Sequence, residues 1–210
     1  MKQENDFFEL ESKAFYNQMA QRRSIRDFSN KTVTEEILVN CIRTAGTAPS
    51  GANKQPWYFA LITSKNTKIK IREAAEQVEK EFYSWKAPQS WLEDLKKFNT
   101  NHEKAYLSEA PALIAVFSRI QFRAPDGEMN RTYYPIESTG IAVGLLITAL
   151  HKAGLATLTH TPRPLNFLNE VLGLDKSYRP FMMVVTGYPK LPIQVPEIQR
   201  KELDQILGRY

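Results

Sequence analysis

From Pro111 to Ile120 the chain reads PALIAVFSRI, and no polar side chain interrupts the run before Ser118. A strand with one wet face alternates apolar and polar residues, so a run without alternation reads as a strand buried on both faces. Such a strand needs a covering layer on each side. Helical stretches alternate with other strand-like runs along the sequence, and helices are the elements available to cover it. The expected fold class is α+β: a three-layer sandwich with a mixed β-sheet covered by helices.

The other elements follow from local signals. WYFALITS, rich in aromatic and branched residues after a turn, reads as a strand. LATLTHTP and FMMVVTGYP read likewise, separated by a short helix over residues 165–172. Thr34 suits a helix N-cap, Glu35 and Glu36 fill the first turn, and Gly46 stops that helix. Residues 65–98 are charged and aromatic with helical period, broken at Ala87-Pro88, and RAPDGEMNR is turn-like. A long apolar helix is expected over 134–154, with Gly140 and Gly144 one turn apart, where another backbone is expected to come close. The tail VPEIQRKELDQILGRY reads as extended and polar. With no internal repeat and no low-complexity linker, residues 1–210 read as one domain.

Composition excludes more than it selects. A net charge of +5 leans toward anionic partners, yet acids and bases are interleaved and no like-charge arm for nucleic acid is present. The one cysteine, Cys41, excludes an internal disulfide and a multi-cysteine metal site. Its neighbours Ile37, Leu38, Ile42 and Ala45 share a helical face, so it reads as a buried thiol. The first residues, MKQENDFFELESKAFYNQMAQ, are polar and acidic and unlike a signal peptide. IAVGLLITAL falls short of the roughly 20 apolar residues that span a bilayer. A soluble, cytoplasmic protein with no membrane partner is expected. There is no phosphate loop, no G-x-G-x-x-G after a strand and no G-x-S-x-G elbow. His102, His151 and His160 lack metal-ligand spacing, so no metal is expected.

Two stretches carry chemistry. In RRSIR, Arg22, Arg23 and Arg26 surround Ser24. Guanidinium forks and a hydroxyl suit a phosphate, each charge-assisted bond contributing about 1.5–3 kcal/mol. Read alone, the same residues make a solvated basic turn. In APSGANKQPW, Ser50, Gly51 and Ala52 expose backbone with little side chain, against which a flat ring can lie, though alone this is also an ordinary loop.

Taken together and in this order, the two stretches resemble the nitroreductase superfamily of FMN-dependent enzymes. The similarity continues through the apolar helix, LATLTHTPRPLNFLNEVLGL, VVTGYP and the terminal Arg200-Lys201. Within that superfamily the chain is most similar to the iodotyrosine deiodinase branch, through RRSIR, RTAGTAPSGA, WLEDLKK, Thr100-Asn101 and the positions of Glu79, Tyr83 and Lys104. The resemblance implies FMN as cofactor, with Arg22, Arg23, Ser24 and Arg200 at its phosphate, the adjoining Ile25 among the contacts, and Arg26 at the pyrimidine edge. It implies that Ser50 and Gly51 contact the ring across an intertwined homodimer whose interface includes the 140–150 helix. It implies a substrate clamp for a halotyrosine: Glu79 for the ammonium, Tyr83 and Lys104 for the carboxylate, Ala52 supporting the phenolate by its backbone. Residues 79 and 83 are i,i+4 neighbours on one helical face, and the clamp is expected to ride on a lid over about 65–104. Thr159, His160 and Thr161 are implied at the flavin, with the Thr161 hydroxyl at N5 as the catalytic group. Where animal members have threonine in the middle of that run, this chain has His160.

The activity implied is FMN-dependent reductive dehalogenation of halotyrosines, releasing halide and tyrosine. A general NAD(P)H-dependent nitroreductase or quinone reductase shares the flavin motifs but has no need of Glu79, Tyr83 and Lys104. An oxygen-using flavin destructase and a non-catalytic flavin- or nucleic-acid-binding module are weaker rivals. The electron donor stays open between NAD(P)H and a separate reductase.

Overall fold

The strand buried on both sides is the axis of the fold. The structure, a computed structural model, describes residues 2–123 and 127–210. Its elements in chain order are α1 (Lys2–Ala20), α2 (Glu35–Ala45), β1 (Trp57–Ile62), α3 (Lys65–Glu81) with a π-helical turn at Phe82–Lys86, α4 (Gln89–Lys96) and α5 (Tyr106–Glu109). They continue with β2 (Ala112–Arg119), β3 (Gln121–Arg123), β4 (Met129–Arg131), α6 (Pro135–Lys152), β5 (Ala156–His160), α7 (Phe167–Leu172), β6 (Tyr178–Gly187) and a 3₁₀ turn at Leu203–Gln205.

β2 lies inside a four-stranded sheet of order β1-β2-β6-β5. Its side chains divide by parity, as a strand requires. Leu113, Ala115 and Phe117 enter one core with Ile71, Leu107, Leu168 and Met183. Ala112, Ile114 and Val116 enter a second core with Leu38, Cys41, Leu146 and Leu150. Helices α3, α5 and α7 therefore cover one face and α2 and α6 the other, giving the three expected layers. All three strand pairings of this sheet are antiparallel. Its mixed character comes from a parallel bridge between Ser24 and Thr157, where the Ile25 N–H donates to the Thr157 carbonyl at 3.1 Å. Cys41 is buried as expected, and burial pushes its thiol up.

Element ends follow their chemistry. Ser64 caps α3 by accepting from the Thr67 N–H. The break at Ala87-Pro88 is real: the last turn of the first helix widens to π form, Ala87 is extended, and α4 begins after Pro88. RAPDGEMNR contributes to a small hairpin, with β3 pairing β4 antiparallel; residues 124–126 of that turn lie outside the described residues.

Two readings change. The first residues, read only as a polar leader, form α1, whose Phe7, Phe8, Leu10, Phe15 and Tyr16 are exposed. The apolar side chains find no core of their own chain, so no burial pattern marked the helix in the sequence. The second concerns Gly140 and Gly144, where no backbone of the same chain approaches: a Cβ at Gly140 would meet only the Phe181 ring at 3.9 Å, and one at Gly144 would meet nothing within 4 Å.

Gly187 is the glycine that packing does demand. A Cβ there would lie 2.4 Å from Cδ of Pro111, part of a rigid ring on the residue before β2. Gly187→Ala should therefore cost about 1–3 kcal/mol and lower Tm by about 5 °C. An unchanged Tm in thermal unfolding would mean that the β2–β6 end yields without cost.

Candidate active site

The parallel bridge sets the site. With Ser24 opposite Thr157, the register carries Arg26 to the level of Thr159, at the end of β5. Arg26, Thr159, His160 and Thr161 all line one cavity of about 470 Å³. Its opposite wall comes from α3, the π turn, α4 and the segment after it. Val78, Phe82, Trp91 and Leu95 make that wall apolar, and Glu79, Tyr83, Thr100 and Lys104 give it charge and hydrogen-bonding groups. Phe82 and Trp91 meet edge to face, centroids 5.0 Å apart, which holds α4 against the end of α3.

Glu79 and Lys104 face each other across this wall. The Lys104 ammonium stands 3.3 Å from Oε2 of Glu79, with side chains only 3% and 12% exposed. The ammonium also donates to the Thr100 hydroxyl at 3.3 Å and to the Asn101 carbonyl, and lies 5.2 Å from the Tyr83 ring centroid. The Lys104 backbone N–H donates at 2.7 Å to Glu76, whose same oxygen accepts from Arg72. Burial raises the Glu79 carboxyl above its ordinary range, and Lys104 pulls it back only in part. Burial likewise lowers the Lys104 ammonium, with Glu79 opposing. In both, desolvation outweighs attraction, as buried ion pairs commonly show. Tyr83 is raised first by burial, while a hydrogen bond from Thr100 works the other way.

The floor holds a second polar pair. Nδ1 of His160 lies 3.1 Å from the Tyr106 hydroxyl, and the two rings meet edge to face. Burial, then the nearby Lys104 charge, brings His160 down to about 3, so its imidazole is neutral at working pH. Burial also drives the Tyr106 phenol well above its ordinary range.

The remaining expected residues lie elsewhere. Arg22, Arg23 and Ile25 line a second cavity of about 380 Å³ with Gln18, Gln21 and Lys152. Arg200 reaches back from the tail, donating to the Ala20 and Arg22 carbonyls at 2.7 and 2.8 Å, and Arg23 donates to the Pro196 carbonyl. Burial, then Arg200, then Arg23, lowers the Arg22 guanidinium. Among the described residues no carboxylate pairs with Arg22, Arg23 or Arg200. Mutually repelling guanidiniums with no acid between them suit a phosphate group such as that of a flavin mononucleotide.

Ser50, Gly51 and Ala52 line neither cavity of the single chain. Gly51 bridges to Tyr133, and a Cβ on it would sit 3.0 Å from that residue's Cβ and carbonyl, so a larger residue there would press on Tyr133. Ala52, Asn53 and Gln55 hold φ of 48°, 51° and 45°, and the Ser50 hydroxyl accepts from the Gln55 N–H.

Sequence reasoning gave Tyr106 and most of the apolar wall no role in the site, and it used Thr100 and WLEDLKK only as marks of resemblance. Val78–Phe82 and Trp91–Leu95 carry i,i+4 spacing beside Glu79–Tyr83, a signal that could have found the wall. Nothing local marked Tyr106.

Comparison with known proteins identifies the family. The sequence pattern described as "Nitroreductase family" matches residues 19–188. The chain is 45% identical over 199 residues to an iodotyrosine deiodinase of Haliscomenobacter hydrossis, covering 95% of this chain and 90% of that protein. It is 42% identical to iodotyrosine deiodinase 1 of Homo sapiens, covering 93% and 68%. A crystal structure of oxidized iodotyrosine deiodinase bound to FMN and 3-iodo-L-tyrosine superposes with a TM-score of 0.82 at 30% identity, covering 93% of this chain and 98% of that one. Among the described residues no helix is long and apolar enough to cross a membrane. The chain belongs to the nitroreductase family, in the group that includes the iodotyrosine deiodinases.

Proposed function

We propose that this protein is an FMN-dependent reductive dehalogenase that takes halotyrosines and releases halide and tyrosine, working in the cytoplasm as a homodimer. The observation that carries the reading is the buried Glu79–Lys104 pair with Tyr83 beside it, facing the Thr159–Thr161 edge across one cavity. A free amino acid is a zwitterion, and this pair offers an acceptor for its ammonium and a donor for its carboxylate. A general nitroreductase or quinone reductase would share the arginines and have no use for these charges.

Bound FMN would supply the two electrons, drawn from NAD(P)H or a separate reductase, that with one proton from water replace the carbon–halogen bond by carbon–hydrogen as the halide leaves. The chain's own groups hold and orient. Arg22, Arg23, Ser24 and Arg200 hold the phosphate, and Arg26 the pyrimidine edge. Thr161 presents its hydroxyl to the ring as the catalytic group, with Thr159 and His160 beside it. Glu79 accepts from the substrate ammonium, and Lys104 and Tyr83 donate to its carboxylate. Of residues 65–104, expected as a lid, the first turns of α3 are anchored by the buried Ile71 and Ala75, so the part from Glu79 to Lys104 acts as the lid, whose apolar inner wall keeps water from the halogenated ring.

Ser50, Gly51 and the Ala52 backbone complete the site from the partner subunit. The exposed apolar side chains of α1, of α6 (Ile136, Ile141) and of the tail (Leu203, Ile206, Leu207) support that association.

Flavin fluorescence tests the reading directly: 3-iodotyrosine should quench it at concentrations where tyrosine and iodophenol do not. Equal quenching by iodophenol would remove the zwitterion clamp. Glu79→Gln leaves the Lys104 ammonium buried and unpaired, and should weaken iodotyrosine about 100-fold with FMN retained.

The pH dependence has a fixed sign. Burial holds the Glu79 carboxyl raised in the free protein, and a substrate ammonium favours its ionised form. Binding then releases a proton, so affinity is full above the raised Glu79 value and falls about tenfold per pH unit below it. Titrating Kd against pH in the wild type and in Glu79→Gln checks this, since the slope should vanish in the variant. Thr161→Ala should lower the share of one-electron-reduced flavin in a reductive titration. An unchanged share would take Thr161 out of the chemistry.

A further inference from the structure

Tyr106 and His160 form a buried polar pair to which the reaction outlined above gives no shared task. We propose that they act as one positioning unit, a strut that registers the Lys104 end of the substrate clamp against Thr161. The inference rests on the functional reading for the identity of those two ends, and on geometry for the strut itself.

The geometry begins with β5. Its ladder with β6 ends at the His160–Met183 pair, so Thr161, the next residue, has no strand partner. Side-chain parity turns Leu158 and His160 toward the core shared with α3, α5 and α7, while Thr161 is exposed. Thr161 is thus positioned through its two buried neighbours, Pro162 and His160, and His160 is the one with a directed bond. On the other side, α5 is a single turn, begun two residues after Lys104 and bonded back to it by the Leu107 N–H at 2.9 Å. Tyr106, the first residue of that turn, crosses to His160 and meets Nδ1 at 3.1 Å. Among the described residues this is the one hydrogen bond joining the segment that carries Lys104 to the segment that carries Thr161.

The pair is also costly to keep for no purpose. His160 is 5% exposed. Burying a polar ring costs free energy that an apolar side chain would not. What the imidazole supplies that an apolar residue cannot is the directed bond to Tyr106. The hydroxyl of Tyr106 is committed to that bond, so it is a positioning group and leaves carboxylate recognition to Tyr83 and Lys104.

Hydrogen exchange on the full FMN-loaded chain without substrate tests the strut, read in peptides covering 100–107 and 157–163. Tyr106→Phe removes only a hydroxyl and should speed exchange in both windows together by about tenfold, the size of one such bond. His160→Leu should do the same, and the double variant should be no faster than either alone. His160→Asn, which keeps an acceptor near the place of Nδ1, should stay close to wild type. The midpoint potential of the bound FMN should move in Tyr106→Phe and in His160→Leu and stay close to wild type in His160→Asn. Acceleration confined to the window carrying the mutated residue, or additive effects in the double variant, overturns the proposal. A wild-type protein that fails to bind iodotyrosine would instead overturn the functional reading, and the exchange data would still judge the strut.

Discussion

The absence of a polar face on β2 is the constraint from which the rest descends. A strand apolar on both sides must be covered twice, and each covering layer then has a fixed job. The α2–α6 side closes one core, with α6 lying across the sheet. The α3–α5–α7 side closes the other, and α3 on that side also walls the cavity that holds Glu79 and Lys104. β5 ends the sheet with a free edge, and the chain fills part of it by laying RRSIR alongside in parallel. Edge strands are usually protected or used, and here protection and use coincide. The same bridge that pairs the edge delivers Arg26 to Thr159.

Within the cavity the governing balance is desolvation against attraction. Glu79 and Lys104 are each shifted toward neutrality by burial, and their mutual attraction does not fully compensate. A pair in that condition is poor as a structural staple and well suited to recognition. A bound zwitterion brings a second cation to Glu79 and a second anion to Lys104, and each new contact acts where water is already largely gone. Glu76 is the contrasting case. It is bonded to Arg72 and to the Lys104 backbone, which hold its carboxyl below the ordinary range despite burial. Glu76 fixes where Lys104 stands, and Glu79, three residues on along the same helix, is the one that the proposed function gives to the substrate.

Much of this was legible in the sequence, and the unread parts share a cause. The non-alternating run at 111–120, the capping residues near 34, and Ala87-Pro88 are local signals, and each located its element. Glu79 and Tyr83 were legible as neighbours on a helical face, while their assembly with Lys104 came from resemblance, because 25 residues of chain separate the groups. Tyr106 was invisible for the same reason: its partner lies 54 residues on, and nothing in KAYLSEA announces a buried hydroxyl. Gly51 was read as open backbone for a ring, and the sequence did not show that Tyr133 of the same chain also comes close to it. Helix α1 was unread because its apolar side chains point away from every core the chain builds by itself.

That last point bears on the 50–55 loop. Ala52 and Gln55 sit in left-handed backbone at a cost of about 1 kcal/mol each, with Asn53, which tolerates it better, between them. Such strain persists only where surroundings over-determine it. The single chain supplies one part of that restraint, the Gly51–Tyr133 bridge and the Ser50 hydroxyl on Gln55. It leaves the loop outside the cavity that Arg26 and Lys104 line, and leaves the apolar sides of α1, α6 and the tail uncovered. Covering those sides with a second copy would turn costly exposed surface into interface and bring a strained, small-residue loop to a cavity that lacks one. One association would answer both features, so the homodimer is the more economical reading than a monomer that tolerates each separately.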